Sequence, residues 1–149
     1  MRKSMMAVVA ASILAGTTFG ALPATAAEHQ VQMLNKGTDG PMAFEPSFLK
    51  IAPGDTVRFL ATDKGHNVLS IEGMSPDGTT PFKGKMNEDI AVTFDQPGVY
   101  GFECKPHYGI GMVGLIVVGD PVNLADAQAV PQKGKAKKRF ETLFGNAGQ

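Results

Sequence analysis

Apolar and polar residues alternate along most of the chain in short runs broken by Gly, Pro, Asp and Asn, the pattern of strands with one buried face. Val31, Met33 and Asn35 mark a first strand, and residues 36–41 a turn. Residues 48–52 extend to Pro53-Gly54-Asp55, where proline presets the dihedral of a tight turn. Val57, Phe59 and Ala61 alternate with Thr56, Arg58 and Leu60, and Asp63-Lys64-Gly65 turns the chain into a strand that starts at His66. Residues 74–88, rich in glycine and proline, read as a long loop. Ile90, Val92 and Phe94 alternate again, and residues 95–98 turn into a strand ending at Glu103. Residues 113–118 hold almost no polar side chain, which predicts a central strand covered on both faces. Seven to eight strands fit an all-β fold of two packed antiparallel sheets with Greek-key connections.

After Gly119 the period lengthens. A helix is predicted over 123–130 with Asn123 as its N-cap, and a second over 135–145, where Ala136, Phe140, Leu143 and Phe144 share one face. The basic run over 133–139 reads as a solvated face, and the two helices as a cover for an open part of the sandwich.

The first residues are of another kind. Arg2 and Lys3 precede an apolar run that is too short to span a bilayer, and Ala24-Thr25-Ala26 has the form of a cleavage site. Residues 1–26 therefore read as a secretory signal peptide, with 27–149 as one domain, exported to the periplasm and without a membrane anchor once cut. Charge adds little: 14 basic residues balance 14 acidic ones, and removing Arg2 and Lys3 leaves 12 against 14, a net charge of −2. No basic excess points to nucleic acid.

Export changes the meaning of Cys104. A single cysteine cannot form an internal disulfide, and an exposed thiol is a liability in an oxidising compartment. Ligation to a metal would occupy it. Cys104, His107 and Met112 follow one another at Cys-x2-His-x4-Met spacing between two predicted strands, with Gly109 and Gly111 to fold the loop back. Two imidazoles, one thiolate and a weak axial thioether make the ligand set of a blue-copper centre. The second imidazole must come from His29 or His66. His29 lies near the frayed start of the mature chain, so His66 is the choice.

These residues resemble those of the cupredoxins, and among them the pseudoazurins. The likeness runs through Met33-Leu34-Asn35-Lys36-Gly37, Pro53-Gly54-Asp55-Thr56-Val57, residues 62–68, Pro97-Gly98-Val99-Tyr100-Gly101 and Cys-x-Pro-His-Tyr-Gly-x-Gly-Met at 104–112, and the two-helix tail fits as well. The resemblance implies a cupredoxin sandwich binding one copper ion through His66, Cys104, His107 and Met112. It implies a monomeric one-electron carrier of the periplasm that serves copper nitrite reductase, with nitrous oxide reductase and cytochromes c as further partners. It also assigns Asn67 to tie the two ligand loops and to give a backbone N–H to the sulfur, and Met42 to pack on the ring of the second histidine. Pro106 has no N–H, so at most one backbone donor is expected at the thiolate. Lys105 stands where the family has threonine, which leaves the Asn67 tie to the backbone. An apolar patch of Met42, Pro106, Ile110 and Met112 around His107, ringed by Lys36, Lys64, Lys83, Lys85 and Lys105, is the expected docking face for an acidic partner.

Other functions fit less well. A copper oxidase or reductase needs a second metal site, and the chain has three histidines in all. A site with four protein ligands leaves no position open for substrate. A copper carrier would use exposed, exchangeable methionine and histidine clusters rather than a thiolate in a buried loop.

Overall fold

The computed structural model describes residues 25–149. The leader expected over 1–26 lies outside them but for its last two residues. Eight strands form two four-stranded sheets: β1 (Glu28–Gly37), β2 (Gly40–Glu45), β3 (Phe48–Ile51), β4 (Asp55–Leu60), β5 (Leu69–Ser70), β6 (Ile90–Phe94), β7 (Gly98–Glu103) and β8 (Val113–Val118). One sheet has the order β2-β1-β4-β6 and the other β3-β8-β7-β5. The alternation seen along the sequence is the alternation of faces. Val31, Met33, Val57 and Phe59 are buried while Gln30, Gln32 and Arg58 face solvent.

The sheets are mixed rather than antiparallel. β1 runs parallel to β4, with Glu28 opposite Thr56, and β3 runs parallel to β8, with Phe48 opposite Leu115. Parallel neighbours need a crossover. The chain supplies one by passing from β2 to the second sheet at β3 and back to the first at β4. The turn expected over 36–41 is tighter than that, because Gly37 and Gly40 already pair across Thr38 and Asp39. Glu45 closes this hairpin, accepting bonds from the Thr38 backbone at 2.9 Å and hydroxyl at 2.6 Å. His66 is not in a strand; it lies in the irregular loop ahead of β5.

Phe102 stands at the centre between the sheets, its ring edge-on to Phe44 at 4.9 Å and to Phe59 at 5.1 Å. Such pairs contribute about 0.5–1.5 kcal/mol beyond the area they bury. The ring fits because residue 114 on β8 is glycine, where a Cβ would come within 2.2 Å of it. All six residues of β8 are buried, as a strand covered on both faces requires. Its outer face meets α2 (Gly134–Ala147), whose Ala136, Phe140, Leu143 and Ala147 pack with Val113, Leu115 and Val117. α1 (Leu124–Ala129) lies nearer β7. Asn123 does not cap α1 with its side chain. The carboxamide instead bridges the β7 backbone, accepting from Val99 N–H at 2.6 Å and donating to Val99 C=O at 3.0 Å. Lys135, Lys137 and Lys138 face solvent, and Arg139 pairs with Asp39 at 3.4 Å.

At the opposite end of β1, the buried Asp55 accepts bonds from Ala27 N–H at 2.8 Å, Ala52 N–H at 3.0 Å and His29 Nε2 at 2.8 Å. The His29 side chain first, then the two N–H groups, hold its carboxyl below the usual aspartate value of 3.8. An unfolded chain takes up this proton at higher pH than the folded one. The stabilisation is therefore whole above that value and lost as pH falls through the lower folded one. Asp55→Asn should flatten the acid side of the stability–pH curve, followed as denaturant midpoints below about pH 4; equal slopes in both proteins would refute this. Gly114→Ala should destabilise the fold by about 1–3 kcal/mol through overpacking on Phe102, read from the same midpoints at neutral pH.

Candidate metal centre

Two loops at one end of the sandwich make the site. The first runs from β4 to β5 and carries His66. The second leaves β7 at Cys104, makes a 3-10 helix over Lys105–Ile110 and returns through Met112 to β8. Pro106 suits the first turn of that helix, where no N–H is needed. Gly111 ends it in the left-handed region at φ 95°, and Gly111 N–H bonds Tyr108 C=O at 2.9 Å. Gly109 lies inside the helix and needs no such freedom. Met112 N–H then reaches His107 C=O at 3.1 Å, and Cys104 N–H reaches Met112 C=O at 3.0 Å. The spacing of the motif is thus the spacing of one closed loop.

Three of the expected ligand atoms converge. His66 Nδ1 lies 3.1 Å from His107 Nδ1 and 3.7 Å from Cys104 Sγ, and His107 Nδ1 lies 3.5 Å from that sulfur. A divalent ion in the middle of such a triangle, at about 2.0–2.1 Å from nitrogen and about 2.3 Å from sulfur, would set edges of about 3.6 and 3.8 Å. The atoms present fit that plane to within about half an ångström. His66, Cys104 and Met112 are fully buried, and His107 is half-buried. His29 is bound to Asp55 and takes no part.

Hydrogen bonds around the triangle set the rings. His66 Nε2 donates to Asn35 Oδ1 at 2.9 Å, which leaves Nδ1 as the nitrogen with a lone pair. Asn35 is itself held by Asp63, whose carboxylate accepts Asn35 N–H at 2.7 Å. Asn87 steadies the same loop, accepting from Gly65 N–H at 2.6 Å and donating its own N–H to His66 C=O at 2.8 Å. Asn67 Oδ1 accepts Lys105 N–H at 3.0 Å, so the tie between the loops needs no hydroxyl at residue 105. The 3-10 turn brings His107 back over Cys104, whose C=O accepts His107 N–H at 3.1 Å.

Burial pushes the Cys104 thiol up and His66 down, with the neighbouring His107 adding to the shift of His66. These surroundings thus disfavour both a bare thiolate and an imidazolium. A cation reverses the first and has no quarrel with the second, since neutral imidazole is the ligand form.

Among the other predicted residues, Met42 is half-buried at φ 51° and packs on the main core. Pro106 and Ile110 are exposed, the latter by 42%, but Met112 is covered and so is no part of a surface patch. Lys36, Lys64, Lys83 and Lys85 are exposed, and Lys105 pairs with Glu103 at 3.5 Å. Asn35 and Asn87 were not legible as site residues, since one reads as a strand position and the other as a turn. Asn35→Ala should weaken copper binding about 10–100-fold in a competition titration with a chelator; unchanged affinity would show that the His66 ring is fixed by packing alone.

Comparison with known proteins agrees with this chemistry. Residues 31–119 match the model of copper binding proteins of the plastocyanin/azurin family. A putative pseudoazurin of Rhizobium leguminosarum bv. viciae is 57% identical over 117 residues, covering 78% of this chain and 77% of the relative. The pseudoazurin of Methylorubrum extorquens is 48% identical over 139 residues, covering 93% and 94%. The solved structure of a Sinorhizobium pseudoazurin superposes with a TM-score of 0.79 at 48% identity, covering 81% of this chain and 96% of that one. The chain belongs, with the pseudoazurins, to the plastocyanin/azurin family of copper-binding proteins, and is an electron carrier with copper as its cofactor rather than an enzyme.

Proposed function

We propose that the chain carries single electrons in the periplasm to a denitrification reductase, with copper nitrite reductase as the chief acceptor. On this reading residues 1–26 direct export and are removed after Ala26. His66 Nδ1, Cys104 Sγ and His107 Nδ1, together with the Met112 thioether, would hold the copper, and the bound ion would supply a one-electron couple. One observation carries the reading. Three ligand atoms stand 3.1, 3.5 and 3.7 Å apart, and of their residues only His107 is not fully buried.

The work of the protein is to keep that frame still. Asn35, Asp63 and Asn67 hold the His66 loop against β1 and against Lys105, so little need move when the charge changes. Burial of His66 and Cys104 shuts water out. The half-exposed imidazole of His107 is then the short way to a docked partner. Beside it Pro106 and Ile110 offer a small apolar contact, and Lys36, Lys64, Lys83 and Lys85 a basic rim, with the charge of Lys105 partly balanced by Glu103. Such a face favours an acidic partner, fast arrival and early release. The protein acts as a monomer.

Electron transfer from the reduced, copper-loaded protein to copper nitrite reductase should slow steeply as salt shortens the Debye length from about 10 Å at 0.1 M. Reversing charge at Lys64 and Lys83 together should lower the rate about tenfold at low salt. Cys104→Ser should lose both the blue absorption and the transfer. A rate indifferent to salt and to the reversals would overturn the docking face, and a blue Cys104→Ser protein would overturn the ligand set.

A further inference from the structure

A second group of metal-binding atoms lies at the other end of β1. We propose that the mature chain, beginning at Ala27, binds Cu(II) or Ni(II) at its amino terminus through Ala27, Glu28 and His29. The inference rests on the proposed cleavage after Ala26. Removing the leader frees the amine of Ala27 and makes His29 the third residue. A terminal amine, the two following amide nitrogens and the imidazole at the third position can close fused chelate rings around one ion, giving four nitrogens in a plane. That tetragonal nitrogen set is the geometry Cu(II) and Ni(II) prefer. Proline at either following position would forbid it, and neither Glu28 nor His29 is proline.

The fold already holds the Ala27 nitrogen and the His29 ring on one carboxylate. Asp55 Oδ1 accepts the Ala27 N–H at 2.8 Å while Asp55 Oδ2 lies 2.8 Å from His29 Nε2. A carboxylate in that position makes Nε2 the protonated nitrogen and leaves the lone pair on Nδ1, the one that can fold back to its own backbone. Asp55 is 6% exposed and anchored by Ala52 N–H, whereas the His29 side chain is 28% exposed and open to an ion from solution. The amine and amide protons displaced on chelation pass to solvent, and no electron moves. The cost lies in the sheet. Glu28 opposes Thr56, His29 opposes Val57, and Thr56 N–H bonds Ala27 C=O at 2.9 Å, so the first rungs of β1 against β4 must open. Binding is therefore weaker than in an unstructured peptide of the same sequence. This site is separate from the thiolate centre, because the six residues from His29 to Asn35, which bonds His66, span about 20 Å of strand.

The test uses the exported protein with its thiolate site filled with copper and its first residue verified as Ala27 by mass. Ni(II) should bind as one further equivalent. Cu(II) added in its place should give a tetragonal nitrogen spectrum by electron paramagnetic resonance, distinct from that of the blue centre. His29→Gln should lose the further equivalent and keep the blue band, which reports an intact fold. Inserting one glycine between Ala26 and Ala27 moves the histidine to the fourth position and should have the same effect. No further equivalent on a chain beginning at Ala27, or one that survives the inserted glycine, would overturn the site and leave the electron-carrier reading untouched. A mature chain cut elsewhere would overturn the site and the cleavage reading together.

Discussion

The Lys105 N–H donates to the carboxamide of Asn67 across 3.0 Å, and the metal centre depends on that bond. His66 and Cys104 belong to different loops, 38 residues apart in the chain, and a useful pair of ligands must be placed to within a few tenths of an ångström. Side-chain packing alone fixes positions more loosely. The Asn67 bond removes the freedom of one loop relative to the other, and the Asn35 and Asn87 bonds remove that of the His66 loop relative to the sheets around it. Each of these carboxamides bonds backbone or ring N–H groups, so each polar group taken from water is repaid by a partner. Among the described residues, no buried side-chain nitrogen or oxygen is left without one.

The same principle explains why the centre sits at the end of a sandwich. Strands hold their backbone tightly, but their side chains point into a core that must stay apolar. Loops can gather polar ligands but are loose. Here the loops are short or wound into a 3-10 helix, and they emerge from strands whose cores are aromatic and dense around Phe102. Rigidity passes outward from Phe44, Phe59 and Phe102 to Cys104, two residues beyond the central ring.

What could be read from the sequence was local. The Cys104–Met112 loop is legible because its ligands are covalent neighbours, and β8 because a strand buried on both faces has no polar residues to hide. The choice of His66 over His29 rested on chain-end mobility and reached the residue that the structure brings to the sulfur. Yet His29 is not frayed, since Asp55 ties it down. What could not be read was relational. Parallel pairing of β1 with β4 depends on a crossover between sheets, which alternation does not record. Asn35 looks like any polar strand residue until the fold lays it against His66 Nε2. Asn123 shows a related limit: a good capping residue by type, it was claimed by the β7 backbone instead.

The C-terminal helix touches the ligand loop from behind. α2 packs on the 3-10 helix as well as on β8, Lys135 comes within 3.3 Å of where a side chain at Gly111 would start, and Tyr108 reaches across to Gln132 and the Lys133 backbone. The tail is thus a brace as well as a lid. It follows that the stiffness of the loop, and with it the energy needed to reorganise during transfer, is adjustable from a segment that supplies no ligand of its own. Variation in the tail can retune the carrier while the inner coordination sphere stays unchanged.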